Sequence, residues 1–166
     1  MRYFIIFILI VWCFFSCWGP GRSVGPRTAK KVSRDFPRIY TGLDTLIRID
    51  GYYYHENSIG EFCGPFMVSN NSEFRISNVQ YNNHNQIWDV FRKGMLDGEG
   101  KGSYTLSGDT IKARWPMPYQ IGCYDIFSHQ YIIENDTTLR LIFGSYETCS
   151  GSKRDSVRNK IYKFHK

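Results

Sequence analysis

Asp125, His129 and Glu147 are the side chains of this sequence that come nearest to a chemical constellation. Two carboxylates and an imidazole can pass a proton, hold a cation or orient a polar ligand. They belong to two apolar runs, "CYDIFSHQYII" and "TLRLIFGSYE", and share an alternating pattern with Phe127, Tyr131, Leu141 and Phe143. Alternate residues of a strand point to one face, so these side chains would line one wall. A charged rim around an opening is one reading of that wall. The other is the polar foot of an aromatic ligand pocket, since such pockets combine apolar walls with few polar groups.

Other motifs fail on spacing. "DGEGKGS", residues 97–103, has Met95 where a phosphate-binding loop needs its first glycine, and Lys101 where a calcium loop needs an oxygen ligand. "HENSIGE", residues 55–61, lacks the second histidine of a zinc-hydrolase helix. His55, His84, His129 and His165 have no metal-ligand spacing, and there is no Gly-x-Ser-x-Gly elbow. The sequence therefore assigns no catalytic residue, no metal and no cofactor.

The elements that would position the cluster read as strands. From about residue 44 onward, short apolar runs rich in aromatic and β-branched residues alternate with Gly, Asn and Asp. That pattern predicts an all-β, antiparallel domain with strands near 45–54, 62–68, 73–81, 86–92, 102–106, 110–115, 123–133, 138–147 and 159–165. Gly108-Asp109 fits a two-residue turn that sets Leu106 opposite Ile111, Tyr104 opposite Ala113 and Gly102 opposite Trp115. A three-residue loop at Asn135-Asp136-Thr137 sets Ile133 opposite Leu139, Tyr131 opposite Leu141, His129 opposite Phe143 and Phe127 opposite Ser145. Extended further, this register puts Asp125 opposite Glu147, a like-charge pair that costs energy. It also puts Cys123 opposite Cys149, within disulfide reach. A Cys123–Cys149 bridge with Cys63 free is the expectation; three reduced, buried cysteines are the alternative.

The amino terminus gives an address. Arg2 precedes an apolar run of roughly 13 residues, Tyr3–Phe15, too short to span a bilayer and built like a secretory leader. Ser16-Cys17 resembles the end of a bacterial lipoprotein signal, in which cleavage precedes the cysteine and the cysteine is acylated. That resemblance implies a signal peptide over 1–16, an acylated Cys17 as the bilayer anchor and a location in the cell envelope. "WGPGRSVGPRTAKKVSRDFPRIYTG" then reads as a flexible basic tether to about residue 42. With no acidic stretch after Cys17, the expected placement is an outer-membrane lipoprotein facing the periplasm.

The formal net charge of +6 is an average. Arg22, Arg27, Lys30, Lys31, Arg34 and Arg38 crowd the first tether, and Lys153, Arg154, Arg158, Lys160, Lys163 and Lys166 crowd the C-terminal stretch, which reads as a second tether. Basic ends beside an acyl anchor suit an anionic membrane surface or serve solubility; nucleic acid is not an expected partner.

"IRIDGYYY", "GSYTLSGDTIKA" and "YIIENDTTLRLI" resemble the strand and hairpin pattern of lipocalin-like barrels on bacterial lipoproteins. The resemblance covers residues 43–166 and implies an eight- to nine-stranded barrel that binds rather than catalyses. Tyr53 stands where the best-known lipocalin signature has tryptophan. Three functions follow in order: a small apolar or amphipathic ligand held at Asp125, Phe127, His129, Tyr131, Phe143 and Glu147; an accessory protein binding another envelope protein; and an enzyme using Asp125, His129 and Glu147.

Overall fold

The computed structural model describes residues 40–93, 99–120 and 123–166. The leader 1–16, Cys17 and most of the tether lie outside those residues. Among the described residues nine strands form one antiparallel sheet: β1 (Tyr52–Glu56), β2 (Phe62–Val68), β3 (Glu73–Ser77), β4 (Gln80–Tyr81), β5 (Glu99–Ser107), β6 (Thr110–Gln120), β7 (Cys123–Asn135), β8 (Thr138–Glu147) and β9 (Lys153–His165). The order β1-β9-β8-β7-β6-β5-β3-β2 closes on itself through β1–β2 pairing, and β4 adds to β2 as an extra strand. The chain is thus a closed eight-stranded antiparallel barrel, with no free edge along most of its circumference. Among the described residues no helix is long and apolar enough to cross a membrane.

Alternation fills one half of the barrel. Tyr53, Phe66, Phe74, Tyr104, Trp115, Tyr131, Leu139 and Tyr162 are buried there. Phe66 is the hub, with ring centroids 5.5 Å from Tyr53, 5.1 Å from Phe74 and 4.8 Å from Tyr131. Each such side chain contributes about 1.5–3 kcal/mol by leaving water. Trp115 fits because the neighbouring strand β5 presents two glycines, Gly100 and Gly102, beside it, while Phe74 stacks on its ring at 5.2 Å. A Cβ at Gly100 would lie 2.2 Å from Trp115 Cδ1, and one at Gly102 would lie 2.0 Å from the Arg114 carbonyl oxygen.

The filled end is capped by the segment before β1. The expected strand over 45–54 begins only at Tyr52; Leu43–Thr45 form a 3-10 turn whose neighbours plug the barrel. Leu43 and Ile47 are buried against the core, and Arg48 N–H donates to the Asp136 carbonyl at 2.8 Å. Tyr53 Oη lies 3.0 Å from the carbonyls of both Arg48 and Asp136, tying plug to hairpin.

The expected strand over 86–92 is a helix, α1 (His84–Lys93). Ile87 and Phe91, one turn apart, bury one face against Tyr52 and Tyr81 outside the barrel. Asn83 Oδ1 accepts from Gln86 N–H at 3.0 Å, and Gln86 Oε1 accepts from Asn82 N–H at 3.1 Å. This asparagine-to-glutamine spacing is a helix-start signal that outweighs the β-branched content of a short run. At the other end Arg75 Nη1 donates to the Phe91 carbonyl at 3.3 Å.

The C-terminal basic stretch is a strand, not a tether. β9 pairs with β8 from Lys153–Glu147 to Lys163–Thr138. A strand needs only that its inward residues find a wall, and cations at alternate positions do not prevent this when one side meets a wet opening.

Both hairpins form. Leu106 faces Ile111 and Tyr104 faces Ala113, and Gly108 takes φ +60°, as the first position of the turn requires. In β7–β8 the turn is Asp136-Thr137 with Asn135 opposite Thr138, and Glu134 is an extra residue. This compensates, so Ile133–Leu139 and Tyr131–Leu141 pair as expected. A bulge at Ile142 then moves everything beyond by one residue. His129 faces Gly144, Phe127 faces Tyr146, and Glu147 faces Ile126 rather than Asp125. The bulge removes the like-charge pair that the uninterrupted register forces.

Candidate ligand-binding site

The end of β7–β9 away from the plug carries a pocket that opens to solvent, and its lining takes in residues of both faces, Gly144 and Tyr146 on one and Ser145 and Asp155 on the other. A cavity of about 490 Å³ lies there between β7, β8 and β9, lined by Phe127, His129, Gly144, Ser145, Tyr146, Arg154, Asp155, Ser156 and Arg158. The cross-strand rows His129–Gly144–Ser156 and Phe127–Tyr146–Arg154 build its wall. Gly144 leaves that wall recessed: a Cβ there would meet His129 Cδ2 at 3.4 Å and Arg158 Nε at 3.5 Å, ordinary contact distances.

Of the six expected pocket residues, two line this cavity. Phe127 stacks on Trp115 with centroids 5.8 Å apart and meets Tyr146 at 4.8 Å. His129 stands edge-on to Trp115 at 4.8 Å, with Nδ1 2.9 Å from the Tyr131 hydroxyl. Tyr131 itself is fully buried in the core, which pushes its phenol well above the usual range. Asp125 is buried near the rim, where one oxygen accepts from Tyr146 Oη at 2.7 Å and the other from Cys149 N–H at 3.0 Å. Phe143 lies in the cross-strand row of Gln130 and the exposed Val157, on the outer face. Glu147 reaches Arg114 at 3.6 Å, also outside. Asp125, His129 and Glu147 therefore do not converge. Among the described residues no three His, Cys, Asp or Glu side chains group as metal ligands.

His129 is held neutral. Burial lowers its pKa first, and Arg158 and Lys160 lower it further, to about 4. The sequence reading missed Arg154, Arg158 and Tyr146. The signal was present: once β9 is a strand, positions 154, 156 and 158 extend toward the wall that Tyr146 and Gly144 form. Crowded cations made the segment read as solvated chain instead.

Cys149 is disulfide-bonded and Cys63 is a free thiol. The Cys123 side chain lies outside those described. Comparison of the chain with protein-family models, with curated proteins and with solved structures finds no match in any of the three.

Proposed function

We propose that this barrel is the ligand-binding domain of a bacterial lipoprotein, anchored through acyl chains on Cys17 and taking a small amphipathic molecule into its pocket on β7–β9. The cavity carries the reading. It combines aromatic walls, Phe127 and Tyr146, with polar groups at one side, and its size falls in the range of small-molecule sites. The Ser16-Cys17 boundary and the basic tether support the membrane attachment.

Gly144→Leu tests the binding claim, because it places a side chain in the cavity with only ordinary contacts at its Cβ. The purified protein, stripped of lipid, is titrated with decanol and decanoate and followed by calorimetry. The wild type binds at least one, and the leucine variant loses that binding while unfolding as cooperatively in urea. Equal binding by both proteins places the ligand elsewhere. The anchor is tested separately: the intact mass shows acyl chains on the wild type, and Cys17→Ser removes them and releases the protein from membranes.

A further inference from the structure

We infer that the cavity selects amphipaths with an anionic head, and that Arg154 and Arg158 hold that head. The inference rests on the cavity reading above and gives the ligand its charge.

Both guanidiniums line the cavity from one strand, and neither has an ion-pair partner among the described residues. The one carboxylate on the lining, Asp155, is committed: Lys153 Nζ donates to it at 3.0 Å and the Ser145 hydroxyl also bonds it. Lys153 thus cancels Asp155, and the two guanidiniums are left over. Asp125 offers nothing to them, since Tyr146 and Cys149 occupy its oxygens. Lys160 adds to the positive field, being close enough to His129 to lower its pKa alongside Arg158. His129 adds a neutral ring rather than a counter-charge.

Some cations elsewhere have acids beside them, Arg48 and Lys166 with Asp50, Lys101 with Glu73 and Arg140 with Glu134, while the exposed Lys112 and Lys163 have no ion pair among the described residues; what sets Arg154 and Arg158 apart is that both line the cavity. Both arginines are solvent-exposed, so water carries their charge in the free protein, and an anion entering the cavity meets two guanidiniums not already committed to an acid. Arginine is also the side chain whose planar donors match a carboxylate or phosphate in two parallel hydrogen bonds. The apolar part of the ligand then lies on Phe127 and Tyr146, which pair with Arg154 across β7–β9.

The test titrates the lipid-stripped protein with decanoate, decyl phosphate, decanol and decylamine, and uses acetate and inorganic phosphate as heads without tails. Decanoate and decyl phosphate should bind about tenfold or more tighter than decanol or decylamine, as charge-assisted hydrogen bonds allow. Arg154→Gln and Arg158→Gln should each shrink that preference by about tenfold. Arg140→Gln, which removes the same charge from the outer surface, should leave it unchanged. Two single variants are used so that one that misfolds, as judged by its urea transition, does not decide the matter. Equal binding of all four amphipaths, abolished by Gly144→Leu, overturns the anion preference and keeps the cavity. Binding by none of them overturns the cavity reading and this inference with it. Acetate or inorganic phosphate binding as tightly as its decyl counterpart overturns the amphipath and leaves an ion site.

Discussion

His129 makes the barrel sensitive to acid, and the size of the effect follows from its surroundings. The ring stands against Trp115 and the Tyr131 hydroxyl on the filled side, faces Gly144 on β8, and lies within the field of Arg158 and Lys160 on β9. Burial, then those two cations, bring its pKa to about 4, against about 6.5 in an unfolded chain. The unfolded state therefore takes up the proton first. Stability from this residue is complete above about pH 6.5 and is lost as the pH falls toward about 4. At about 1.36 kcal/mol per unit the full difference is roughly 3 kcal/mol. One edge of the ring faces the open cavity, so solvent screening brings the expected loss nearer 2 kcal/mol. Urea unfolding of wild type and His129→Gln across this range isolates the residue, because carboxylates titrate alike in both. The wild type should lose about 2 kcal/mol more than the variant between pH 7 and pH 4. A His129 proton resonance titrating near 6.5, or parallel stability curves for the two proteins, would refute the reasoning.

Two further outcomes follow from single contacts. His84 stacks on His165 at 3.6 Å and meets the Tyr52 hydroxyl through Nδ1 at 2.6 Å; burial, then His165, lower its pKa, so acid should loosen α1. Amide exchange in α1 should accelerate from pH 7.5 to 5.5 relative to β7, and an unchanged ratio would remove the idea. Asp125→Ala strips the acceptor from Tyr146 Oη and Cys149 N–H, and should cost about 2–3 kcal/mol in urea unfolding; a loss under about 0.5 kcal/mol would mean water replaces the carboxylate without penalty.

Period-two alternation and turn chemistry made most of the barrel legible. β2 and β8 fall where the alternation puts them, and Gly108 announces its turn. What escaped was of two kinds. The helix at 84–93 is a short run whose Ile87 and Phe91 satisfy either period, so only the Asn83–Gln86 cap distinguishes it. The bulge at Ile142 is an insertion of one residue with no glycine to mark it, yet it decides which side chains share the cavity wall. The like-charge clash between Asp125 and Glu147 was the sequence's own sign that an uninterrupted register could not stand. Arg154 and Arg158 were hidden for a different reason: charge clusters usually mean solvated chain, and only the β8–β9 pairing brings these exposed side chains to the pocket.

Glycines on the two halves of the barrel separate packing from vacancy. At Gly102 a Cβ would press on the Arg114 carbonyl oxygen at 2.0 Å and on Trp115 Cβ at 2.6 Å, so backbone would have to move. At Gly144 the nearest atoms stand at 3.4 Å or more, and no left-handed φ is involved. Neither sterics nor conformation requires glycine at 144, and a glycine inside a strand is entropically unfavourable. Space beside His129 is what the residue leaves. Gly102→Ala should therefore cost about 1–3 kcal/mol through overpacking. Gly144→Ala should be neutral or stabilising by up to about 1 kcal/mol, since it restricts the unfolded chain and meets no obstacle. Urea midpoints measured side by side decide between them. If both alanines destabilise the protein equally, the wall at Gly144 is as tightly packed as the core, and no molecule of useful size fits behind it.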